Sequence, residues 1–122
     1  MSSYQEKAAA LATYLSAKNS LDTAEAALPS LQSAMFSKWD TFKELAESDD
    51  YEEANGTPKY AQRGLPEFHI VEKDWLAAEA NYKKQQAVIS QAQAAVSSTY
   101  LGYQSTQDAV IKATTEGIVA NL

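Results

Sequence analysis

Bulky residues recur at every seventh position along the second half of the chain: Trp75, Tyr82, Ile89, Val96, Tyr103 and Val110. Three places after each stands a smaller or polar one: Ala78, Gln85, Ala92, Thr99, Thr106 and Ala113. A sevenfold repeat with two such positions keeps one stripe of a long helix against a neighbouring helix. The first half carries the same pattern, with Tyr14, Leu21, Leu28, Met35 and Phe42 at one position and Ala10, Ala17, Ala24, Leu31 and Leu45 at its companion. Lys38 is the exception. The two bulky series are expected to form an intrachain seam between two helices, spanning about 3–48 and about 67–120.

Ser2 or Ser3 can cap the first helix, with Glu6 in its opening turn. Pro29 lies inside that helix, yet the sevenfold phase passes from Leu28 to Met35 without a slip. A kink with proline just off the seam fits this better than a break. A helix ending near Ala27 and another starting near Pro29 is the alternative. From Ser48 to Pro66 the periodicity vanishes, and Asn55-Gly56, Pro58, Gly64 and Pro66 supply turn chemistry. This predicts a connecting loop over about 49–66, long for a helix-to-helix link. Folding back there makes the helices antiparallel, with residues whose numbers sum to roughly 117 at one height.

The second helix is apolar on more than its seam. Ala87, Ala94, Ala95, Leu101, Gly102, Ala109, Ile111 and Ile118 lie on its other faces, and Gln85–Gln107 contains no Asp, Glu, Lys or Arg. Helices apolar on several sides are usually internal. These eight residues are therefore the candidate subunit interface. The expected fold is all-α: one domain, a long antiparallel helical hairpin kinked at Pro29, completed into a larger helical bundle by other subunits. A compact four-helix bundle would instead need breaks near Pro29 and between Ser97 and Gly102.

Composition narrows the chemistry. The formal net charge of −6 gives no pull towards phosphate backbones or anionic lipid, so nucleic acid is disfavoured. Absence of cysteine excludes disulfides, thiolate metal sites and a thiol nucleophile. The run Ala8–Ala17 follows cancelling charges at Glu6 and Lys7 and does not read as a signal peptide. No apolar run suffices to span a membrane. The expectation is a cytoplasmic or virion-associated protein without membrane insertion.

The sole histidine, His69, stands at the start of helix 2 with no nucleophile or paired base nearby in sequence, and only Glu72 at ligand spacing. No catalytic residue, metal site or cofactor is expected. The acidic run Glu44 to Glu53 fails as a calcium loop: counting from Gly56 puts Tyr51 and Gln62 where carboxylate ligands belong. Asn55-Gly56-Thr57 fits a glycosylation acceptor formally. Tyr60 and Arg63 are the candidate loop contact for a second protein, being of types favoured at binding hot spots. Trp39 and Trp75 are expected to close the loop end of the core.

In outline, an acidic two-helix hairpin of this size resembles the small secreted proteins of the WXG100 class. Their Trp-x-Gly turn is missing, since Trp39-Asp40-Thr41 lies inside helix 1 and Asn55-Gly56 has no tryptophan beside it; the family is not assigned. The Ala/Ser/Thr/Gln-rich arms look like subunits of virion parts, tails or extracellular filaments. The functional expectation is a non-enzymatic structural subunit of a symmetric homo-oligomer, in a phage or virus particle or a filament. The alternative is an adaptor or secretion-type chaperone using the same apolar face for a different protein.

Overall fold

The computed structural model describes residues 2–59 and 62–120, with the side chains of 118–120 outside that description. Two long helices, α1 (Ser3–Ala46) and α2 (Pro66–Ala120), are joined by a loop containing a 3₁₀ turn, Gln62–Gly64. The chain is an antiparallel helical hairpin.

α1 opens with a reciprocal capping box. The Gln5 amide donates to Ser2 Oγ at 3.2 Å, and the Ser2 amide donates to Gln5 Oε1 at 2.9 Å. Two orphan donors of the first turn are thereby satisfied. Ser2 is the cap and Gln5 its partner, rather than Glu6. The helix then runs unbroken through Pro29, so neither the split at that residue nor the four-helix bundle is what forms. Proline has no N–H to offer the Glu25 carbonyl, but the rest of the ladder carries the helix past it. α1 ends at Ala46, and the Ser48 hydroxyl closes the end by donating to the Leu45 carbonyl at 2.7 Å. α2 begins at Pro66, whose fixed φ and missing donor suit a first helical position. It continues without interruption through Gly102.

The loop is more ordered than its lost periodicity implies. An antiparallel bridge joins Glu52 to Pro58, and the Glu53 amide donates to the Thr57 carbonyl at 2.7 Å. Between them the Gly56 amide donates to Glu53 O at 2.9 Å, and Gly56 sits at φ 84°. No other described residue has positive φ. The turn is therefore of type I, followed by a left-handed glycine, the usual three-residue hairpin loop.

Two compact units divide the chain, Met1–Ala26 with Val88–Leu122, and Ala27–Ala87. In the first, Tyr14 and Tyr103, expected at one height, stack with ring centroids 6.3 Å apart, and the Tyr4 and Thr114 hydroxyls are 3.2 Å apart. Ala24 and Val110 are its buried apolar residues. In the second, five aromatic rings form a ladder. Tyr51 meets Phe68 at 5.6 Å, Phe68 meets Phe42 at 5.4 Å, Phe42 meets Trp75 at 5.3 Å, and Trp75 meets Trp39 at 4.7 Å. Tyr51 and Phe68 are each only 3% exposed, which makes this ladder the core of that unit.

Candidate interaction surfaces

Of the seam series, Tyr14, Leu21, Leu28, Met35, Phe42, Trp75, Tyr82, Ile89, Val96 and Tyr103 are half-buried, and Val110 is buried. Lys38 is exposed. Thr99 and Thr106 sit at companion positions, where burial would demand hydrogen-bond partners. Their hydroxyls turn back onto their own helix, Thr99 donating to the Ala95 carbonyl at 2.7 Å and Thr106 to the Tyr103 carbonyl at 2.6 Å. Both hydroxyls are thus satisfied within the chain.

The residues expected at a subunit interface lie on the outside of the single chain. Ala87, Ala94, Ala95, Gly102 and Ala109 are exposed, as are Leu101 at 63% and Ile111 at 58%. The side chain of Ile118 lies outside the described residues. A Cβ added at Gly102 would meet nothing within 4 Å, so the seam does not require that glycine. Among the described residues no large side chain is fully buried.

The unit formed by Ala27–Ala87 carries a second apolar feature. Met35, Phe36, Trp39, Trp75 and Glu79 line an open cleft of about 240 Å³, and Phe36 is 52% exposed. Glu79 is engaged by Lys83 Nζ at 3.2 Å. An acidic hollow of about 460 Å³ lies along the loop, lined by Glu47, Asp49, Glu52, Glu53 and Lys59 among others. The Lys59 ammonium donates to the Asp49 carbonyl, and the Lys59 amide to the Tyr51 carbonyl at 2.8 Å. That lysine ties the loop together.

Tyr60 of the expected loop contact lies outside the described residues. Arg63 is half-buried, its guanidinium 5.6 Å from the Phe68 ring centroid and its Nε enclosed without a hydrogen-bond partner. It packs over the Phe68 ring of the aromatic ladder. His69 is exposed and meets the Phe68 ring edge-on at 6.2 Å. Asn55 Oδ1 accepts from the Thr57 amide at 3.1 Å and the Thr57 hydroxyl at 2.6 Å, a local Asx turn within the glycosylation sequon. Burial, then the neighbouring Glu67 carboxylate, raises the Tyr51 hydroxyl above the ordinary tyrosine range. That hydroxyl lies 3.5 Å from Glu67 Oε2.

Two members of the ladder escape a reading from Trp75 onwards. Phe68 stands seven residues before Trp75, so the repeat itself extends back to it. Tyr51 has no such signal. Among the described residues no group of three metal-ligating side chains comes together, and no helix is long and apolar enough to cross a membrane. No known family model, curated protein or solved structure matches the chain.

Proposed function

We infer that this chain is a non-enzymatic structural subunit of a symmetric homo-oligomer, packing the charge-poor outer faces of its helices against other copies of itself. A phage or virus particle, or a filament, is the setting this reading names first. The observation that carries it is the exposed outer face of α2, where Leu101 stands 63% exposed inside the charge-free run Gln85–Gln107 and Ile111 stands 58% exposed beyond it. Large apolar side chains left in water on a charge-poor helix face support an interaction surface.

Light scattering on the 122-residue chain tests this reading. The expected mass is a fixed multiple of 13.3 kDa, and Leu101→Asp should reduce it. A single-chain mass from micromolar to millimolar concentration overturns the proposal. The open cleft at Phe36 and Trp39 favours a second reading, a binding module for a heterologous helix. Under it the chain would be a monomer or dimer that gains mass only when a partner is added.

A further inference from the structure

We propose that the open cleft of the unit Ala27–Ala87 binds the head of a small soluble quaternary amine, held by aromatic ring faces and one carboxylate. Its five lining residues, Met35, Phe36, Trp39, Trp75 and Glu79, enclose about 240 Å³. The two indoles stand with ring centroids 4.7 Å apart and planes 53° apart, tilted and not stacked. The stacked neighbour of Trp75 is Phe42, at 5.3 Å and 14°. Trp39 and Phe36 remain exposed, which leaves aromatic surface that the ladder does not use.

Charge complementarity selects the occupant. Ring faces carry negative charge density, and Glu79 is the only ionisable residue of the lining. An anion is repelled by both. A purely apolar occupant would match the rings but set the carboxylate against hydrocarbon, which costs free energy. A metal ion takes several oxygen ligands, and among the described residues no group of three metal-ligating side chains comes together. A primary ammonium or a guanidinium brings several N–H donors, and the only strong side-chain acceptors of the lining are the Glu79 oxygens, of which Oε1 already takes Lys83 Nζ at 3.2 Å. A quaternary ammonium has no N–H. It carries its charge under methyl groups and is attracted to ring faces without a hydrogen bond. Lys83 does not line the cleft and is 69% exposed, so its pair with Glu79 is of small worth in water. The lining spans one turn of each helix, Met35 to Trp39 and Trp75 to Glu79, about 6 Å along the axis. That is room for one head group and not for a run of chain.

The chain holds two tryptophans and both line the cleft, so its indole fluorescence reports on the site without background. Titration with choline at constant ionic strength should give a saturable change. Choline's uncharged isostere, with a tert-butyl group in place of trimethylammonium, should bind about tenfold more weakly. Phe36→Leu keeps an apolar side chain but removes a ring face, and Glu79→Gln keeps the shape but removes the charge. Each should weaken choline binding and leave that of the isostere unchanged. If the isostere binds as tightly as choline, the cleft recognises hydrocarbon and the proposal fails. A change that never saturates, or saturable binding that both variants leave intact, also overturns it. A peptide carrying trimethyllysine that binds far more tightly than choline overturns the free amine as the source and assigns the head group to a protein partner. None of these outcomes depends on the mass that light scattering reports, so the homo-oligomer reading stands or falls separately.

Discussion

Tyr51 couples the loop to the helices through its side chain and its backbone carbonyl. Its ring stacks on Phe68, its carbonyl accepts from the Lys59 amide, and its hydroxyl faces Glu67. A buried phenol beside a carboxylate is harder to ionise in the fold than in the unfolded chain. Its contribution to stability is complete below the unfolded value near pH 10 and is lost as pH rises through it towards the higher folded value. Denaturant midpoints measured from pH 8 to pH 11 should therefore fall at the alkaline end. Tyr51→Phe, which keeps the ring, should remove part of that fall; an unchanged alkaline slope would mean that this hydroxyl is not the group responsible. Little of this is legible in the sequence, because a loop contact obeys no period. Phe68 was legible, being in phase with Trp75, and so was the turn at Asn55-Gly56, where the backbone takes a conformation glycine tolerates. Arg63 stands out in the sequence by its type, common at interfaces, and the fold adds that its guanidinium lies over Phe68.

At the scale of the element, the seven-residue phase outweighed proline. An interior Pro–X helix loses one backbone bond, but α1 holds seam residues on both sides of Pro29, half-buried at Leu28 and Leu31. Tertiary cover of that kind offsets a local propensity cost. Pro29 is itself exposed, so Pro29→Ala should stabilise the chain by about 1–3 kcal/mol through the restored bond to Glu25, read as a higher denaturant midpoint. Destabilisation instead would mean that proline sets a bend the seam depends on. Gly102 separates two roles for one position. Because an added Cβ meets open space, Gly102→Ala should gain about 1 kcal/mol of helix stability. Helix existence and phase were readable from the sequence. The cap partner was not, because Gln5 and Glu6 are both eligible by type and only the geometry chooses between them.

For the molecule as a whole, the seam residues are half-buried within the single chain and the outer face of α2 is exposed. If a further copy covers that face, as proposed, the thermal midpoint should climb with protein concentration, as mass action requires; a midpoint independent of concentration would argue for a stable monomer. The nesting of the contacts carries a consequence for the time course of folding. Sequence separations run from 16 residues between Tyr51 and Glu67 to 110 between Tyr4 and Thr114. Closing the widest of these loops costs about 1.7 kcal/mol more chain entropy than closing the narrowest. The aromatic ladder should therefore assemble early and the Tyr14–Tyr103 stack late. In stopped-flow experiments Phe68→Ala should mainly slow refolding, whereas Tyr103→Ala should mainly quicken unfolding. The Tyr14–Tyr103 stack, closing last and opening first, is where local unfolding should begin.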